Sequence, residues 1–165
     1  MSVFNSEFSR AITVYKSENA DVPYPEPIAT GTNTSIAVNQ LINTSGGFVA
    51  AGVAAGDIVY NTTDGTAATV VSVTSATTIV LNADIFTATA KAYIVYQNSP
   101  FTGMPNPGCM LYIGGAGNIS VTTIGGDVVL FSGIPAGTIL PVQVRRINST
   151  TGGTTTATLI NALWS

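Results

Sequence analysis

The sequence predicts an all-β protein. Three observations carry that reading: no window of eleven or more residues has a convincing 3.6-residue period, β-branched residues recur along the whole chain, and turn glycines punctuate it. The expected architecture is a jelly-roll-like β-sandwich made from an N-terminal strand and a C-terminal block, with a small SH3-like β-barrel inserted between them. The expected segments are 1–28, an arm and first strand; 29–98, the inserted barrel; and 99–165, the C-terminal sandwich core.

Ala11 to Tyr15 alternate as a first strand. They run into "VPYPEPIATG", where Pro23, Pro25 and Pro27 oppose regular pairing and favour an extended, polyproline-like connector. In the next block, Asp57–Tyr60 and Ala68–Val73 flank "NTTDGT", whose Asp64-Gly65 suits a tight hairpin turn. Thr78–Leu81 and Ala92–Tyr96 are further strands, and the glycines of "GGFVAAGVAAG" allow a helical turn at most. After "NSPFTGMPNPG" come five strand candidates: Met110–Ile113, Ile119–Thr123, Val128–Phe131, Ile139–Ile147 and Ala157–Trp164. Gly125-Gly126 reads as a two-residue turn between the second and third. Leu140, Val142 and Val144 should face a core and Gln143 and Arg145 away from it. The loop "NSTTGGTTT" should be polar, flexible and exposed.

The glycines of "LYIGGAGNISV" invite a phosphate-loop reading, but that needs G-x-G-x-x-G opening a helix, and here a strand pattern follows. A turn at a strand corner fits better.

Only 8% of the 165 residues are charged, against about a quarter in an average soluble domain, while 45% are apolar. Such a chain needs a membrane or other protein surfaces to cover it. Its longest weakly polar run, Phe48 to Gly56, is about half the roughly 20 residues a helical span requires, so no membrane partner is expected. The opening "MSVFNSEFSR" lacks the secretory pattern, so use without export is expected. The net charge is −3 and the only basic run is Arg145-Arg146, too little to displace counterions from nucleic acid. The single cysteine, Cys109, reads as a buried inert thiol. Asn-x-Ser/Thr triplets at Asn33, Asn43, Asn61, Asn118 and Asn148 carry no weight without an export signal.

"LYIGGAGNISVTTIGGDVVLFSGIPAGTILPVQVRRI", a Thr/Gly loop and "ATLINALW" together resemble the C-terminal core of the small head-decoration and spike-base proteins of tailed phages and phage-derived gene-transfer particles. "AITVYKSENADVP" is similar to the opening strand and acidic turn of the same family, with about 70 residues inserted between the two halves. The resemblance implies a virion role on the outer capsid surface, with the protein made in the host cytoplasm. It implies the major capsid protein and further copies of the chain as partners, a trimer being favoured and a pentamer possible. It implies no catalytic residue and no cofactor.

The residues themselves point the same way. With no histidine and one cysteine, the commonest general base and metal ligand are missing, so neither an enzyme nor a metal site is expected. Asp57, Asp64 and Asp84 would have to act as paired carboxylates, and local bonds to backbone explain them better. Glu18, Asp21 and Glu26 read as a solvated loop. Glycan binding by Tyr24, Tyr60, Tyr93, Tyr96 or Trp164 is the alternative class, although strand positions favour packing for most of them. The candidate contacts to partners are Val3, Phe4 and Phe8 on the N-terminal arm, Arg145 and Arg146, and Trp164. The arm's aromatics would either anchor on a neighbour or cap the chain's own core. Arg145 and Arg146, consecutive on a strand, should face opposite sides of the sheet with at least one at solvent or an interface, because an inward arginine would need a carboxylate and the C-terminal block has only Asp127. The expectation is therefore a capsid decoration or cement protein, with a spike-base protein or a host-glycan adhesin as alternatives.

Overall fold

A computed structural model describes residues 8–100 and 106–165. These residues contain no helix and form twelve strands in two antiparallel sheets. The strands are β1 (Arg10–Thr13), β2 (Pro27–Thr32), β3 (Gln40–Ile42), β4 (Ile58–Asn61), β5 (Thr66–Ser75), β6 (Thr78–Leu81), β7 (Ala92–Tyr96), β8 (Cys109–Gly115), β9 (Gly117–Thr123), β10 (Val128–Ile134), β11 (Thr138–Asn148) and β12 (Thr158–Trp164). The first sheet runs β1-β12-β8-β11-β9-β10 and the second β2-β7-β4-β5-β6-β3.

The first sheet is rolled. Strands β8 and β9 are one stretch of chain broken only at Ala116, yet they flank β11 on opposite sides, so that Val144 faces Cys109 on one edge and Thr123 on the other. The ribbon can return on itself only by bending at Gly115-Ala116-Gly117. Those glycines also admit β12: a Cβ on Gly114 would lie 2.8 Å from the Leu159 carbonyl oxygen, and one on Gly117 2.6 Å from the Ala157 nitrogen. The glycine cluster thus serves a corner and a close strand approach.

The second sheet curls into a half-barrel. Its long strand β5 is bulged at Val70/Ser72 and again at Val73/Ser75, which bends it from β4 toward β6. A single bridge, Ser35↔Ile42, ties the sheet's two ends together. Leu41, Phe48, Val59, Val70, Ile79, Leu81, Phe86, Tyr93 and Val95 fill the interior.

Alternation along β4 joins the two sheets. Val59 points into the half-barrel, whereas Ile58 and Tyr60 point out of it and enter the core of the first sheet, with Leu111, Ile113, Val144 and Trp164. Tyr15 and Tyr96 meet Tyr60 edge-on at 4.9 and 5.4 Å. Residues 14–26 lie in this seam and bond to both sheets: Ser17 N–H donates to Ile147 O and its hydroxyl to Ala67 O, while Val22 N–H reaches Arg145 O and Tyr24 N–H reaches Gln97 O.

Several local expectations change. Strand β2 starts at Pro27 despite the proline run, because the first position of an edge strand needs no ladder N–H. The β4–β5 connection has four residues, Thr62 to Gly65, and of Asp64 and Gly65 only Gly65 has positive φ, at 69°. The β9–β10 turn holds three residues, Ile124 to Gly126, closed by Thr123 N–H to Asp127 O. The loop after β11 is polar but not wholly exposed: Asn148 and Thr155 are buried, and the Thr155 hydroxyl bridges Asn148 O and Ser120 N–H.

Candidate interaction surface

All five cations lie among the described residues, and each is engaged within the chain. Arg10 pairs with Glu26 at 2.8 Å and stands over the Tyr24 ring. Lys91 pairs with Asp64 at 2.8 Å, and Lys16 Nζ donates to Thr155 O at 2.7 Å. The candidates Arg145 and Arg146 were expected on opposite sheet faces, with at least one at solvent or an interface. A bulge between Val144 and Arg146 lets both reach one carboxylate, Asp21, at 3.6 and 2.7 Å, while the Arg145 side chain stays 42% exposed. The carboxylate comes from the connector and not from the C-terminal block.

The same connector corrects the solvated-loop reading of the acidic trio. Glu18 accepts bonds from Thr150 N–H at 2.7 Å, Thr151 N–H at 3.1 Å and the Thr151 hydroxyl at 2.6 Å. These donors, the Thr150 amide foremost, hold its carboxyl down at about 2.

The acids of the middle block bind both neighbouring and distant parts of the chain. Asp57 accepts from Ala54 and Asn98 N–H, Asp64 from the Asn61 amide and Lys91, and Asp84 from Asn39 N–H. Burial raises the Asp57 pKa and pushes the Cys109 thiol up to about 12. Among the described residues no three His, Cys, Asp or Glu side chains are placed to hold a metal. Four of the five asparagines in Asn-x-Ser/Thr triplets, Asn33, Asn43, Asn61 and Asn148, are buried. Asn43 and Asn61 close turns by accepting from the backbone two residues on.

Tyr60, Tyr93, Tyr96 and Trp164 are buried and serve packing. Trp164 sits in the first core, at the floor of a groove of about 330 Å³ that Phe8, Arg10, Tyr24, Met110 and Leu163 also line. Val3 and Phe4 lie outside the described residues.

Part of what the fold leaves outside is apolar. On the outer face of the first sheet, register aligns Thr13, Asn161, Tyr112 and Ile139 in one row across β1, β12, β8 and β11. Beside it Leu159 is 72% exposed and held at φ 51°, a left-handed conformation that costs a leucine about 1 kcal/mol. Compared with protein families, curated proteins and solved structures, the chain gives no match. On the edge strand β10, Val128 and Leu130 face out, and the loop glycines Gly152 and Gly153 lie against them. At the far end of the half-barrel, Ile36 and Val38 project from the β2–β3 loop. Sequence reasoning missed Val128 and Leu130 because "VVLFSGI" lacks polar alternation, the pattern of a buried strand.

Proposed function

We propose that the chain is a virion structural protein, a capsid decoration or cement protein that binds the major capsid protein and further copies of itself and has no chemistry of its own. The observation that carries the reading is the division of the surface. Every cation is tied to the chain's own oxygens, while uncharged side chains such as Tyr112, Ile139, Leu159, Val128 and Leu130 stand exposed along the first sheet. Surfaces of that kind gain from repeated docking against protein, each contact contributing through burial and the array through multivalency. The resemblance of "LYIGGAG", "GIPAGTILPV" and "ALW" to head-decoration and spike-base proteins supplies the setting.

The test is a particle. Quantitative mass spectrometry and imaging of purified virions should find the chain in many copies at symmetric positions on the outer shell, and particles stripped of it should release DNA at lower temperature. Its absence from particles, or full stability of stripped ones, would overturn the proposal. Copies confined to the vertices would make it a spike-base protein.

A further inference from the structure

The half-barrel brings an amine, a carboxylate and a carboxamide together. Asn61 ends β4 on the same side as Val59, so its side chain turns into the half-barrel, where it is fully buried. It faces Tyr93 across the β4–β7 ladder, and Lys91 precedes Tyr93 by two residues. Lys91 is thereby the diagonal neighbour of Asn61, a separation that a long side chain spans.

Asp64 links the two. Its Oδ1 accepts from Lys91 Nζ at 2.8 Å and its Oδ2 from Asn61 Nδ2 at 2.8 Å, so amine and amide meet on the two oxygens of one carboxylate. Asn61 Nδ2 also donates to Ile85 O at 2.7 Å, while Asn61 Oδ1 accepts the N–H groups of Thr63 and Asp64, both at 3.1 Å. These are the parts that amide exchange requires: a nitrogen nucleophile, a carboxylate touching both it and the leaving nitrogen, and two N–H donors on the oxygen where negative charge develops.

We propose that Lys91 and Asn61 join in an intramolecular isopeptide bond, with Asp64 moving the protons. Asp64 takes a proton from the Lys91 ammonium, and the freed Nζ electron pair adds to Asn61 Cγ while the C=O electrons move onto Oδ1. Asp64 returns that proton to Nδ2, the C=O re-forms and the Cγ–Nδ2 bond breaks. The new amide nitrogen gives its second proton, through Asp64, to the departing ammonia. A lysine ammonium and a carboxamide thus become an amide and an ammonium ion, with no oxidant or co-reactant. The Lys91 and Asp64 side chains are 24% and 36% exposed, which leaves the ammonia a way out. The reaction occurs once per chain and alters no other molecule, so it depends on held geometry rather than on speed. It closes residues 61–91, with β5 and β6, into a covalent loop that constrains the unfolded chain as a disulfide would. The inference goes beyond the virion reading and stands or falls without it.

The purified native protein, incubated and then unfolded, tests it by intact mass and digestion. The mass should fall below that of the sequence by one ammonia, and trypsin should fail to cut after Lys91. Lys91→Arg keeps a cation for Asp64 without a nucleophilic amine, and should have its full sequence mass. Asp64→Ala keeps amine and amide without the proton carrier, and should have its full mass too. Thermal melts check that both variants fold, and Asp64→Asn replaces the alanine variant should that one unfold. A parent of full mass, ammonia loss that persists in Lys91→Arg, or a link that forms as readily without the Asp64 carboxylate would each overturn the proposal.

Discussion

Replacing Glu18 by Gln removes the charge that fixes the loop after β11, and the cost can be worked from the structure. The carboxylate takes two backbone N–H groups and a hydroxyl from Thr150 and Thr151, and its pKa is about 2 where 4.5 is ordinary. A shift of that size corresponds to about 3 kcal/mol unscreened. Glu18 stands at the surface, so solvent screening reduces this to about 1–2 kcal/mol. The folded pKa is the depressed one, so the unfolded chain binds the extra proton. The contribution is complete above about pH 5 and disappears as pH falls through 4.5 toward 2. At neutral pH the melting temperature of Glu18→Gln should lie about 2–8 °C below that of the parent, at ~2–4 °C per kcal/mol for a chain of this size. Calorimetry of both proteins from pH 7 to pH 2 should show the gap closing on acidification. Equal melting points at pH 7, or a gap that does not change with pH, would refute the reasoning.

Asp21→Asn leaves Arg145 and Arg146 without their shared carboxylate, whose side chain is 25% exposed, and should cost about 2 kcal/mol in denaturant unfolding. In a double-mutant cycle with Arg146→Met, much of that loss should vanish. Asn61→Ala strands Ile85 O and the N–H groups of Thr63 and Asp64 beside a fully buried position, an expected loss of about 2–4 kcal/mol by the same measurement. Cys109 is buried with its thiol pushed up to about 12, so at pH 8 a maleimide should label it only at the rate of unfolding. Rapid labelling of the native protein would contradict that placement.

Strands rich in β-branched and aromatic residues were legible in the sequence. Thr78–Leu81 and Ala92–Tyr96 form as read, and the five C-terminal candidates all become strands. Strand β3 escaped because three residues hold no period, and β2 escaped because a proline run outweighed its later β-branched residues. The surface was harder to read. Arg145 and Arg146 were assigned to opposite faces by strict alternation, which a bulge suspends, and their partner lies more than a hundred residues away in the chain. Val128–Phe131 reads as a strand, but Val128 and Leu130 were not singled out, because sequence shows that a strand is apolar but not that it lies at an edge. Edge position is a property of the whole sheet order.

The seam between the sheets explains why so few charges suffice for the fold. Residues 14–26 are fixed chiefly by their own backbone, whose N–H groups bond to Ile160, Ile147 and Arg145 in the first sheet and to Gln97 just beyond β7. Glu18, Asp21 and Glu26 then bind the Thr150–Thr151 loop, the arginine pair on β11 and Arg10 on β1. Three carboxylates on one short segment thereby pin the loop behind β10, the bulged end of β11 and the start of β1. The loop in turn lays Gly152 and Gly153 against Val128 and Leu130, where any larger side chain would collide with them. The chain's acidic groups therefore help to hold the loop that packs against the outward side chains of β10. Adding charge to the connector should therefore lower the melting temperature more than adding charge at the exposed Val128 or Leu130, because the connector's carboxylates are committed to bonds within the chain.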